Sequence, residues 1–179
     1  MSVTPEAFPV LINGGMTSHS ADKVNTDVNA RALVLDDGNP KNRLAIFVTD
    51  SCMMPTELLN EAKKLAAEGT SIAPDHMLVS ATHTHSAPSS FGCLGTDADP
   101  VYQALLVKRL AKAIIAAEKN LEPARFGWAV TQAPEYTALR RWVRRPDRMK
   151  EDPFGNFTAR ANMHPGYLSE EATGESGPE

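Results

Sequence analysis

The stretch from residue 43 to residue 82 constrains the fold more than any other. It contains RLAIFVTD, then PTELLNEAKKLAAEG, then HMLVSAT. The first and third pieces are apolar runs of strand length. The middle piece repeats apolar residues at helical spacing, through Leu58, Leu59, Ala62, Leu65 and Ala66. Pro55 suits the entry to this helix and Gly69 its exit. Strand, helix, strand in direct succession specifies a βαβ unit, whose crossover is nearly always right-handed. RLAIFVTD is almost continuously apolar, the pattern of a strand covered on both faces.

The flanking sequence extends the pattern. RALVLDD (31–37) closes on Asp-Gly and Asn-Pro, which predicts a β-hairpin with the strand at 43–50. DADPVYQALLVKRLAKAIIAAEKNLEP is a helix with Asp99 as its cap and Pro100 at its first position. Val101, Leu105, Leu110, Ile114, Ala117 and Leu121 are its expected apolar stripe. Pro123 ends it, and ARFGWAVTQ (124–132) reads as a fourth strand. The expected fold is α/β, a mixed β-sheet with βαβ crossover helices. Beyond this core (1–132), RRWVRRPDRMKEDPFGN is rich in arginine and proline, and EEATGESGPE is acidic. Residues 133–179 are therefore expected to be irregular, with a disordered tail. No closing helix or strand follows, so the sequence reads as incomplete.

Composition narrows the function. With 42% apolar and 22% charged residues, the chain is an ordinary globular one. A net charge of −4 lacks the basic excess of a nucleic-acid binder. Two cysteines, Cys52 and Cys93, are too few for a disulfide framework and fit a reducing compartment. No run reaches the roughly 20 apolar residues of a membrane span. The N-terminus as written lacks the basic and apolar regions of a secretory signal, which points to the cytoplasm.

The chemistry concentrates in VSATHTHSAPSS (79–90). On an extended backbone His83 and His85 share a face, with Cα atoms about 6.6 Å apart. Two imidazoles so placed can converge on one ion, or one can ligate while the other serves as acid, base or donor. They follow the carboxyl end of a buried strand, where sites form in open α/β sheets. Asp50 ends the neighbouring strand and could orient one imidazole. The bland alternative is a hydrogen-bonded surface loop, since Thr82, Thr84, Ser86, Ser89 and Ser90 surround the pair. His19 and His76 read as surface residues, and His164 as a loop residue. Arg140, Arg141, Arg144, Arg145 and Arg148 could clamp an anion, though a charge run is usually a solvated face. The serines occupy no Gly-x-Ser-x-Gly elbow.

MLVSATHTHSAP resembles the N-terminal part of the neutral/alkaline non-lysosomal ceramidase family. VTP near the start, ARALVLDDG, the strand ending in Asp50, the helix into LEPARFGW and the arginine-rich segment follow in similar order, over most of residues 1–165. Such enzymes are zinc-dependent amidases that cleave the N-acyl bond of ceramide. The resemblance implies that His83 is a zinc ligand and that His85 lies beside the metal, near the substrate amide. Counted without gaps from Pro123, Arg140 matches an active-site arginine, with Arg141 as the alternative, because Leu139-Arg140-Arg141 stands where the family has Asn-Arg-Ser. His-Ser-Ala-Pro replaces the family's His-Ser-Gly-Pro, which restricts the backbone at Ala87. The family's second zinc histidine, its glutamate and tyrosine ligands and its serine nucleophile lie downstream of Glu179. The resemblance therefore implies a fragment that binds zinc weakly and hydrolyses little. Family members are often secreted.

The leading expectation is thus a zinc-dependent amidase acting on a ceramide-like N-acyl substrate. The alternative is a non-catalytic α/β module that binds a ligand or partner. A weaker third is an anion-binding protein using the arginines.

Overall fold

Apolar runs punctuated by turn residues set out the strands of this computed structural model, which describes residues 1–15, 17–93, 95–133, 142–152, 154–158, 161–162 and 172–175. β1 (Val10–Ile12) and β2 (His19–Ala21) pair antiparallel. β3 (Ala30–Leu35) and β4 (Leu44–Thr49) form the predicted hairpin, in the register Leu33 opposite Ile46. Its turn is held locally: the Asn39 side chain accepts from the Lys41 N–H, and the Asp37 carboxylate accepts from the Asn39 N–H and the Asn42 amide.

α1 (Thr56–Ala67) then crosses to β5 (Met77–Ala81), which lies parallel to β4 with Phe47 opposite Val79. The predicted βαβ unit is present, and the sheet order β3-β4-β5 makes the sheet mixed. α2 (Pro100–Lys119) is capped as expected, the Asp99 carboxylate accepting from the Val101 and Tyr102 N–H groups. The fold is α/β.

The two helices pack on each other, and α2 packs on β3. Gly69, just past the end of α1, lies against the Ile115 side chain of α2. Phe47, Leu58, Ile72, Met77, Tyr102, Leu106, Leu110 and Ile114 form the centre of the core. The buried face of α2 runs through Tyr102, Leu106, Leu110, Ala113 and Ile114 rather than through Val101. Val101 is 67% exposed, because at the first turn it sits about 100° around the helix from Tyr102.

β4 is not covered on both faces. Ala45, Phe47 and Thr49 point to the helices, whereas Leu33, Ile46 and Leu78, opposite one another across three strands, are 52%, 41% and 64% exposed. An apolar run in β4 therefore reflects one buried face and one open apolar face, a distinction that hydrophobicity without alternation hides.

By contacts the chain divides into two units, Met1–Ala124 and Arg125–Glu179. In the second, β6 (Trp142–Arg144) lies between β7 (Ala161–Asn162) and β8 (Ala172–Glu175), antiparallel to both. A short turn of helix at Pro146–Arg148 carries an Arg145–Asp147 ion pair. The strand predicted at 124–132 does not form among the described residues: its alternating Phe126, Trp128 and Val130 are exposed and its backbone pairs with no described strand. Alternation specifies which face an extended segment would bury, but a strand also needs a neighbour to hydrogen-bond.

Candidate metal centre

The parallel pairing of β4 and β5 brings two chain ends to one place. After the strands stop, Thr82 N–H still donates to Thr49 O at 3.0 Å and Thr84 N–H to Ser51 O at 3.1 Å. His83 and Cys52 therefore leave the same carboxyl edge of the sheet. His83 has φ +63°, the left-handed region that a non-glycine residue rarely occupies. This turn delivers its Nδ1 to within 2.8 Å of Cys52 O and 3.7 Å of Cys52 Sγ. Because a carbonyl oxygen only accepts, Nδ1 carries the proton, which leaves the Nε2 lone pair free for a cation. The His83 and His85 rings stand 4.6 Å apart, edge to face at 80°.

One ligand atom from each of Cys52, His83 and His85 lies within 4.8 Å of the others, so the three could hold a metal ion. Both histidines are exposed, while Cys52 is buried. Burial, and then the nearby Cys93, push the Cys52 thiol above its ordinary value. A cation taking this sulfur must displace its proton.

The loop beneath is rigidly bonded. Ser90 Oγ donates to Met53 O at 2.8 Å, and Ser89 Oγ donates to Asp97 O at 2.8 Å. Both serines are fully buried, so their hydroxyls tie the loop down rather than face a substrate. The bland reading of a hydrogen-bonded loop is correct for these serines, yet the same loop presents both histidines.

Asp50 does not orient an imidazole. Antiparallel pairing puts it against β3, where it accepts from Asn29 N–H and the Arg31 guanidinium, each at 2.9 Å. Burial raises its carboxyl, and these two donors outweigh that and hold it below the usual range. The backbone carbonyl of Cys52 does the orienting instead.

His85 also lines a cleft of about 550 Å³, whose wall includes Phe8, Val10, Ile12, Val28 and Pro88. His19 is exposed, as expected, but lies along this cleft. His76 is exposed and donates from Nδ1 to Arg43 O at 3.1 Å. Arg140, Arg141 and His164 lie outside the described residues.

Cys52 was not visible as a candidate ligand from sequence, because a single cysteine 31 residues before His83 carries no spacing signal. The available clue was topological: it follows the strand that runs parallel to the one before His83. No family model matches the chain, and no solved structure matches it. Among the described residues no helix is long and apolar enough to cross a membrane.

Proposed function

We propose that this chain carries the metal centre of a zinc-dependent amidase that hydrolyses an N-acyl linkage, on a ceramide-like substrate. The observation that carries this reading is the convergence of Cys52, His83 and His85 on one point at the carboxyl edge of the sheet. One sulfur and two imidazole nitrogens suit zinc, whereas calcium and magnesium take oxygen ligands. Three protein donors with an open position are also the ligand count of catalytic zinc sites.

The adjoining cleft, lined by Phe8, Val10 and Ile12 but also by Lys23, Asp27 and Asp50, suits a substrate with both an apolar and a polar portion. Its volume of about 550 Å³ falls within the roughly 300–1,000 Å³ of small-molecule sites. In this reading His83, Cys52 as a thiolate and His85, which also lines the cleft, would hold the ion. When bound, zinc supplies a Lewis acid for the amide carbonyl and lowers the pKa of a bound water. The reaction adds that water across the C–N bond to give a carboxylic acid and an amine. The family resemblance adds Arg140 as a group that fixes a polar substituent of the substrate.

Ligation and acid–base work exclude each other at one His85 nitrogen, and zinc titration separates them. If His85 ligates, His85→Ala loses affinity. If it acts as acid or base beside the metal, His85→Ala keeps its zinc and loses hydrolysis. The central test is direct zinc titration of the chain, with weak binding of a single ion expected for the wild type and none for His83→Ala. A wild-type chain that binds no zinc in that titration sinks the reading.

One observation favours a second reading, a non-catalytic binding module. Leu33, Ile46 and Leu78 stand side by side on three paired strands, so their exposed side chains form one adjoining apolar row rather than scattered single residues. That reading predicts ligand or partner binding that is indifferent to zinc and to His83→Ala.

A further inference from the structure

We propose that Gly14 is a positioning residue for the metal centre and sets where His85 stands, an inference that rests on the metal reading above. The two histidines are anchored to different strands. His83 is tied to the end of β4 through Cys52 O. His85 is held against the end of β1: a Cβ placed on Gly14 would lie 2.6 Å from His85 Cγ, 2.7 Å from its Cβ and 2.8 Å from its Cα. The last of these is backbone, so no rotamer of His85 relieves the contact. Gly14 also has φ +100°, which glycine adopts freely and other residues resist.

The approach is locked by Asn13, which is 1% exposed. Its Oδ1 accepts from Gly14 N–H at 2.7 Å, while its Nδ2 donates to Ser89 Oγ at 3.0 Å and Phe91 O at 2.5 Å. Backbone bonds fasten the same junction, Ser89 N–H to Leu11 O at 2.7 Å and Asn13 N–H to Ala87 O at 3.3 Å. The end of β1 and the loop after His85 thus form one clamped piece. The two rings stand 4.6 Å apart, and Gly14 is where the chain after β1 lies against His85.

The test compares Gly14→Ala with Gly38→Ala. Gly38 has φ +92° but no atom within 4 Å of its would-be Cβ, so it carries the backbone strain without the contact. Zinc titration is expected to show a loss of roughly tenfold to a hundredfold for Gly14→Ala, the scale of supporting-residue mutations, and no change for Gly38→Ala. In a His85→Ala background, which keeps the Cα and Cβ contacts but lacks the ring, Gly14→Ala should cost less affinity than it does in the wild type. In the metal-free protein the His83 and His85 ring resonances should shift on Gly14→Ala only, which a general loss of stability does not produce. If the wild type binds no zinc, the metal reading fails while the resonances still test the placement of His85. Should Gly14→Ala not fold, Asn13→Ser removes the amide clamp without added bulk and is expected to shift the His85 resonances and weaken zinc. Unshifted rings with wild-type affinity, in whichever variant folds, overturn the proposal, as does an additive loss in the His85→Ala background.

Discussion

His83 Nδ1 donates to the carbonyl oxygen of Cys52 at 2.8 Å, and it reaches that oxygen only because His83 sits at φ +63°. A single contact thus fixes the tautomer, the ring orientation and a strained backbone. Strain of this kind persists where the surrounding structure over-determines it, and it clusters at functional sites.

Replacing His83 by glycine or by alanine separates strain from chemistry. Both lose the ring and should lose zinc. Only alanine keeps the left-handed cost of roughly 1–2 kcal/mol, partly offset by the greater freedom of glycine in the unfolded chain. Urea unfolding of the metal-free proteins should therefore show His83→Gly more stable than His83→Ala by about 1 kcal/mol. Equal stabilities would mean that the backbone relaxes and the strain is not imposed by the fold.

A cation bound through Cys52, as proposed, should be taken up in a pH-dependent way. Burial, then the neighbouring Cys93, raise the Cys52 thiol, so at neutral pH the free protein holds the proton that a bound cation displaces. Zinc affinity should rise with pH, and calorimetry in two buffers of different ionisation enthalpy should detect proton release. Cys52→Ser should abolish most of that release and weaken binding. A wild-type titration with no proton released and no dependence on Cys52 would leave the sulfur outside the site.

Much of this arrangement could be read from the residues. The βαβ unit was legible because Leu58, Ala62 and Ala66 repeat at helical spacing between two apolar runs, and local pattern survives folding there. The Asp99–Pro100 cap was legible for the same local reason. The His-x-His pair was visible as a candidate because it follows a strand. Cys52 was not, because its proximity comes from parallel pairing rather than from sequence spacing. Gly14 was hidden too, since its role lies in an approach between segments 71 residues apart, from 14 to 85. The partner of Asp50 was misjudged because strand order alone does not say which neighbour a terminal carboxylate faces; the antiparallel β3 supplies Asn29 and Arg31.

A network at the opposite end of the sheet should govern acid stability. Arg43 bonds Asp36, Ser71 Oγ at 2.8 Å and Glu118 at 2.8 Å. The Arg43 hydrogen bond, then the Gly38 N–H, hold Asp36 below its ordinary 3.8. Burial raises Glu118, but the bonds from Ser71 and Arg43 outweigh it and leave the carboxyl below its ordinary 4.5. Carboxylates depressed in the folded state contribute stability above their unfolded values, and that contribution is lost as pH falls through the folded ones. The wild type should lose stability steeply as pH drops below about 4.5, and Arg43→Ala should show a shallower loss from a lower starting point. Parallel pH profiles for the two proteins would assign acid sensitivity elsewhere.

The two faces of the β3-β4-β5 sheet should respond differently to substitution. Phe47 is 1% exposed and packs beneath the helices, whereas Ile46 beside it is 41% exposed. Phe47→Ala should cost about 3–5 kcal/mol, since lost transfer energy and a cavity add together. Leu78→Lys, on the open face at a residue 64% exposed, should change stability by no more than about 0.5 kcal/mol. Denaturant unfolding of both variants checks the contrast. If Leu78→Lys instead costs several kcal/mol, that face is covered in solution. If it is silent for stability but abolishes binding of a partner without touching zinc, the apolar face is itself a functional surface, separate from the centre at Cys52, His83 and His85.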